Sequence, residues 1–403
     1  MAEFLTTLNA SRGQRGSELT MQKRQDSPER GKRCLKFLDR YLGIPVIYLL
    51  GLMKRKKKLL PSFDSIGVLV TAAIGDTILL SGMISDLRKH FAHKEIVLFT
   101  TESNYEIGQL LSGPDRVVKL SSRNPFRAIR GMRAKKVDVL CDFGPWQRLN
   151  ALYSRLSGAR FSVGFRTPAQ YRHYGYDQVV DHSAQVHEIE NYRALVRTFG
   201  VESTSLPEIK VSAPLVEELK PKTYVVFHAW AGGYKSHLRE WPERYWLELG
   251  EKVISLGFEV VLTGAGYSAG RTEELCSKLT SRCKGGVINL AGRITLSQTA
   301  RVLENASAVV SVNTGTMHLA AAAGALVLGL NGPTSAQRWG PLGERAVSIN
   351  AEGEGCGYLN LGFEYRKHRE DCMELITPQG IFSLLQELLR CRTPAPGVEA
   401  SLE

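Results

Sequence analysis

Little in this sequence points to a disulfide framework, a membrane span or a metal-held phosphate. The seven cysteines (Cys34, Cys141, Cys276, Cys283, Cys356, Cys372, Cys391) are odd in number and scattered, with no C-x-x-C pair. Neither a zinc ribbon nor a thioredoxin-like site is supported, and reduced cysteines in a cytoplasmic setting are the simplest expectation. The apolar run Tyr41–Met53 has 13 residues, short of the roughly 20 that a helix needs to cross a bilayer. It begins more than 40 residues in, with no small-residue cleavage site after it, so secretion is not expected. No D-x-D pair occurs, and no metal site is expected. The composition is not extreme either: 43% of the 403 residues are hydrophobic and 23% charged. Full disorder and fibrous repetition fall away, and two domains are the natural reading of the length.

What the sequence does have is one basic arm. Of the net charge of +12, residues 1–58 supply +9, from 14 basic and 5 acidic residues. Residues 1–33 are polar, and Lys54–Lys58 follows directly on the apolar run. An apolar patch beside a lysine cluster suits a peripheral anchor on an anionic membrane. The competing reading is a helix packed on the main domain with its lysines solvated. Nucleic acid is not an expected partner, because the basic clusters lack interleaved aromatic residues.

From Ser65 onward short apolar runs alternate with helical periodicity. Strands are expected at Ile66–Thr71, Ile96–Thr100, Arg116–Leu120 and Val137–Asp142, with a helix over Asp76–Phe91. Pro207–Pro221 contains three prolines and reads as a linker. A second series follows: strands at Tyr224–His228, Phe258–Thr263, Gly286–Leu290, Ala308–Val312 and Leu326–Leu330. Helices are expected from Pro242 to about Leu256, over Thr314–Ala323, and over Ile381–Leu389. This pattern predicts two α/β domains, each a doubly wound parallel sheet, facing a cleft. The expected divisions are an arm at 1–60, a first domain at 61–206, a linker at 207–221, a second domain at 222–376, and a terminal helix and tail at 377–403.

In such sheets ligands bind where strands feed helix N-termini, and four junctions carry unusual residues. Thr71–Thr77 (TAAIGDT) holds Asp76, which is either a catalytic carboxylate or a helix-capping one. His228–Pro242 holds Lys235 and Arg239, cations for an anionic ligand or simply solvated loop residues. Ser311–His318 (SVNTGTMH) is a small, hydroxyl-rich turn opening a helix, the arrangement that binds phosphate, with His318 one turn inside. Thr263–Gly270 nearly matches the dinucleotide fingerprint G-x-G-x-x-G, with one residue too many before its last glycine and no acidic residue at the end of the next strand.

Taken in this order the residues resemble glycosyltransferase family 9, the ADP-heptose:lipopolysaccharide heptosyltransferases, over about Ile66 to Leu389. The strongest element is Val312–Ala322 (VNTGTMHLAAA), continuing to Gly329–Thr334 and Trp339–Pro341. Ile74–Asp76 and Arg239–Pro242 match in their places, as do Asp142–Phe143, Ser157–Arg160 and Val163–Phe165. The resemblance implies a GT-B fold and a metal-independent, inverting sugar transfer from ADP-heptose to a lipopolysaccharide-core or other surface glycolipid. It needs no cofactor beyond the nucleotide-sugar donor. The resemblance makes the first domain the acceptor side and the second the donor side, with Asp76 as general base. Thr314, Gly315 and His318 match the donor-diphosphate site. Arg239 stands where the family usually has Lys, leaving Lys235 to share that role. Asn313 stands where it commonly has Asp and counts with the donor-diphosphate residues, removing one negative charge there while keeping hydrogen bonding. The Gly264–Glu274 loop falls near the donor nucleoside, with Glu273 or Glu274 toward the ribose.

A lipid-embedded acceptor would give residues 34–58 a purpose, holding the enzyme on the inner leaflet of a cytoplasmic membrane. Two other readings remain open. An NAD-dependent oxidoreductase or epimerase rests on the Gly264–Gly270 near-match. A non-catalytic GT-B-like nucleotide- or glycan-binding protein rests on Asn313.

Overall fold

The central strands form because their sequences are apolar almost without interruption, as befits parallel strands covered on both faces. The computed structural model describes residues 39–390, except 54–55, 72, 362–363 and 366–368. The polar stretch 1–33, residues 34–38 and 54–55 of the 34–58 segment, and the tail 391–403 therefore lie outside the described residues. The first sheet comprises β1 (Ser65–Leu69), β2 (Glu95–Thr101), β3 (Arg116–Leu120), β4 (Val139–Asp142), β5 (Phe161–Arg166) and β6 (Gln178–Asp181). Its order is β3-β2-β1-β4-β5-β6, with every neighbour parallel. The second sheet holds β7 (Tyr224–His228), β8 (Glu259–Leu262), β9 (Val287–Asn289), β10 (Ala308–Val312), β11 (Val327–Asn331) and β12 (Ala346–Asn350). It repeats the same winding as β12-β11-β10-β7-β8-β9, again all parallel. Two Rossmann-like halves of this kind make the GT-B arrangement that the sequence led us to expect.

Among the described residues eleven helices have six or more residues: α1 (Ile44–Leu52), α2 (Ile74–Leu79), α3 (Ser81–His90), α4 (Pro125–Arg133), α5 (Arg148–Leu156), α6 (Glu188–Arg197), α7 (Glu243–Ser255), α8 (Ala269–Cys283), α9 (Leu296–Asn305), α10 (Gly315–Ala322) and α11 (Pro378–Arg390). One apolar core runs without a break from Ile66 and Leu98 under the first sheet to Val309 and Met317 under the second. The terminal helix α11 does not stand apart: Ile381 and Leu385 pack with Trp241 and Trp246 in the core of the second sheet. Residues 207–221 have no regular structure yet are stitched to both halves. Lys210 donates its N–H to the Leu110 carbonyl at 2.7 Å, and Ile209 to Ala322 at 3.3 Å.

Two expectations change. Helix α1 is packed on the first domain, with Ile47 buried against Ala151 and Tyr176, yet most of the apolar run still faces outward. The expectation of reduced cysteines is corrected at one pair: Cys356 and Cys372 form a disulfide. Their Cα atoms lie 5.7 Å apart, within bridging range. A pair 16 residues apart has no local signature to betray it. Cys141, Cys276 and Cys283 are free thiols.

The approach to the linker hangs on one carboxylate. Asp86 of α3 accepts from the Ser203 hydroxyl at 2.7 Å and the Thr204 N–H at 3.0 Å, and Ser205 reaches it through both hydroxyl and N–H. Burial works to raise its pKa, but these bonds and Lys89 outweigh that and hold it at about 2. The depressed pKa means that the contribution, about 2 kcal/mol, is complete above the ordinary carboxylate range and disappears as the pH falls through about 2. Asp86→Asn should lower the melting temperature at neutral pH and flatten its fall in acid. An unchanged melting curve would contradict this anchoring role.

Candidate functional site

The sheet order reverses between β1 and β4 in one half and between β7 and β10 in the other, and crevices open outside the strand ends at such switch points. Three of the four unusual junctions lie there, after β1, β7 and β10. The fourth, Gly264–Gly270, follows β8, one strand out. A dinucleotide fingerprint belongs on the first βα turn, so its position weakens the oxidoreductase reading further.

The junctions after β1 and β10 come together because two glycines let them. A side chain on Gly75 would come within 3.1 Å of the His318 ring, and one on Gly315 within 3.1 Å of Ile74. The N-terminal turns of α2 and α10 therefore abut across the two halves. Asp76 is the third residue of α2, in the first turn, and the N-cap position itself is Ala73. It accepts from the Tyr192 hydroxyl of α6 at 3.3 Å. Beneath it Asn104 braces the turn, donating to the Val70 carbonyl and the Thr77 hydroxyl at 3.0 and 2.9 Å.

On the opposite side Thr314 is the N-cap of α10 but makes no side-chain cap. Its buried hydroxyl and the Nδ1 of buried His318 have no hydrogen-bond partner. Polar atoms left bare in a buried site are where a ligand would bond. Burial, and His187 nearby, push the His318 pKa down to about 3, so the ring is neutral at physiological pH. Together with the free N–H groups of the first turn it offers donors to an anion without adding a formal charge.

The amide hydrogens of Asn313 are engaged within the second half. Its amide donates to Asn331 Oδ1 at 2.6 Å and to the Trp339 carbonyl at 2.9 Å, while Asn331 donates to Gly329 and Ser348. Both partners of Asn313 are acceptors, which an aspartate could not satisfy. Arg239 ends a short 3₁₀ turn after β7 and donates to the Gly232 carbonyl. Lys235 opens that turn in the left-handed region, at φ 48°, with its ammonium 5.9 Å from the Tyr365 ring. The pairing of Ser311 with His228 sets β7 beside β10, so the Lys235–Arg239 loop leaves the sheet next to the Asn313–Gly315 turn.

Gly264 lies against Ser268 and Ala291, close to a cavity of about 580 Å³ lined in part by Glu273, Asn289, Leu290, Arg293 and Ile294. Glu273 accepts from Asn289 at 2.6 Å and Arg293 at 3.3 Å. Glu274 is exposed and does not line this cavity. Among the described residues no three or more His, Cys, Asp or Glu are grouped to hold a metal.

Sequence reasoning missed the clamp between the halves. Glu188 opens α6, is fully buried, and receives Arg338 from the second half at 2.5 Å and His182 at 3.1 Å. Burial alone would raise the Glu188 pKa; His182 and Arg338 hold it below the ordinary value. Arg338 also donates to the Val186 carbonyl, and His187 bonds the Gly340 carbonyl at 3.0 Å. Arg338 sits directly before the Trp339–Pro341 match, which was the one available signal.

Comparison with known proteins gives a family and a fold. A model of glycosyltransferase family 9 (heptosyltransferase) matches residues 126–358. The chain is 32% identical over 152 residues to lipooligosaccharide heptosyltransferase 2 of Haemophilus influenzae, covering 38% of this chain and 43% of that one. The chain spans about half the length or less of the first curated relatives it matches. The solved ADP-heptose LPS heptosyltransferase II of E. coli aligns with a TM-score of 0.67 and 21% identity, over 81% of this chain and 99% of that one. E. coli heptosyltransferase WaaC, solved with ADP, aligns with the same TM-score at 19% identity, over 80% and 99%.

Asn313→Asp should destabilise the protein by about 1–3 kcal/mol, the cost of facing a buried acceptor with two others. Thermal unfolding checks this. A variant as stable as the parent would show that the Asn331–Trp339 pocket does not require an amide.

Proposed function

The chain belongs to glycosyltransferase family 9, and from that membership we propose that it moves a heptose, or a related sugar, from ADP-heptose to a lipopolysaccharide-core or other surface glycolipid acceptor. The observation that carries this reading is the abutment of the α2 N-terminal turn, which holds Asp76, on the Thr314–His318 turn of the other half. Asp76 takes the proton of an acceptor hydroxyl as that oxygen bonds to the anomeric carbon. The bond from that carbon to the diphosphate breaks as the new one forms on the opposite face, inverting the configuration. The departing diphosphate takes up the electron pair against the α10 N-terminus, with Arg239 and Lys235 supplying positive charge. Metal independence is part of this reading, because those groups do the neutralising. Gly264 and the Glu273 cavity are the candidate nucleoside subsite. The lipid-linked acceptor also puts the work of the enzyme at the cytoplasmic face of a membrane.

The test is titration with ADP, UDP, GDP and NAD, followed by transfer assays. ADP should raise the melting temperature, and Arg239→Ala should weaken its binding about tenfold, the loss of one charge-assisted contact. Asp76→Asn should leave ADP binding intact and lower kcat by about 10²–10⁴, the usual worth of a general base. Preference for UDP or GDP would assign a different donor sugar. Binding of NAD alone would overturn the reading.

A further inference from the structure

Helix α1 is held by one face and leaves the other bare. Ile47 is buried against Ala151 and Tyr176, Gly51 lies against Tyr174 with no room for a side chain, and Arg155 grips the Leu50 carbonyl at 3.2 Å. These contacts fix which residues point outward. Leu42, Val46, Leu49 and Met53, spaced four, three and four residues apart, form a stripe exposed by 58%, 41%, 58% and 78%. Such a contiguous apolar stripe is unusual on a soluble surface and marks a contact site. The helix carries no acidic residue. Directly beyond it Lys56, Lys57 and Lys58 are exposed, and the chain is pinned there by the Lys57 N–H bonded to Asp177 at 3.2 Å.

We propose that this stripe and the adjoining lysines form a docking face for an anionic lipid bilayer, with α1 lying in the plane of the interface. The occupant follows from the charge: an apolar face adjoined by the exposed Lys56, Lys57 and Lys58 complements acyl chains beneath anionic headgroups. In a two-fold contact with a second copy the same lysines would meet each other and repel. Nine residues span about 14 Å at 1.5 Å each, less than half of a bilayer core of about 30 Å. No described helix is long and apolar enough to cross a membrane. The helix therefore lies on the surface rather than through it. The residues it packs on, Ala151 of α5 and Tyr174–Tyr176 after β5, belong to the first half, the proposed acceptor side. The face would thus bring that side to a lipid-anchored acceptor; its purpose rests on the glycolipid reading, but the docking itself does not.

The experiment is sedimentation of the full chain with phosphatidylcholine vesicles, with and without phosphatidylglycerol, at low and raised salt. The comparison is with Leu49→Glu/Met53→Glu and with Lys56, Lys57 and Lys58 changed to Gln. Melting temperature and ADP affinity are measured alongside, and neither variant touches the donor site or Asp76. The parent should bind the phosphatidylglycerol vesicles, and less at raised salt. The double glutamate variant should lose at least about tenfold in partitioning, and the lysine variant about fivefold per charge removed, with melting and ADP binding unchanged. Failure of the parent to bind would overturn the proposal, as would undiminished binding by the glutamate variant, which would transfer the role to residues 1–38. Concentration-dependent self-association abolished by that variant would overturn it in favour of a second copy. Failure of the transferase reading would appear separately, as a lack of ADP binding or of transfer to a soluble acceptor fragment.

Discussion

The buried pair of Glu188 and Arg338 is the constraint on which the cleft depends. Each side chain is desolvated, so either alone would be strongly destabilising, and each finds its partner only when the two halves meet. His182 and the Val186 carbonyl complete the shell. From this point the geometry propagates both ways. One turn along α6, Tyr192 bonds Asp76; one residue along from Arg338, the Trp339 carbonyl holds Asn313 before the α10 N-terminus. The proposed acceptor base and the donor cradle are thus set by two ends of the same contact. A glycine on each side, Gly75 and Gly315, lets them close to van der Waals distance.

Within that frame the departures from the usual family pattern become physically intelligible. Asn313 is not an aspartate with its charge removed. It is an amide whose two donor hydrogens are both used, against acceptors that a carboxylate would repel. The fold therefore uses the Asn313 amide as a support behind Thr314, and in the proposed function the diphosphate charge falls to the helix N-terminus and the cations of the β7 loop. The neutral state of His318 fits the same arrangement, since burial and the neighbouring His187 both disfavour an imidazolium there.

Much of this was legible in the sequence, and the misses share a cause. Strands β3, β7 and β10 fall at the residues expected, because each holds a short apolar run bounded by polar residues. Strands β5, β6 and β12 were not singled out. β6 and β12 are edge strands, half exposed, with too few apolar residues for a pattern, and β5 mixes a serine, a glycine and an arginine into its run. Asp76, Arg239 and Thr314–His318 could be read because each sits on a local strand-to-helix junction. Tyr192, Glu188 and Arg338 could not, because their partners lie 116 and 150 residues away and only tertiary packing joins them. The Cys356–Cys372 bridge escaped for the same reason. The arm divided evenly: Tyr41–Met53 proved to be both a packed helix and an exposed apolar surface.

A crystal structure of the chain with ADP tests the central claim most directly, that the two abutting helix turns make one donor-facing site. The account predicts the β-phosphate on the N–H groups of Thr314 and Gly315, within reach of His318 Nδ1 and Arg239, and the adenosine toward the Gly264 loop. Phosphates laid along Gly264–Gly270, with the Thr314–His318 turn empty, would contradict it.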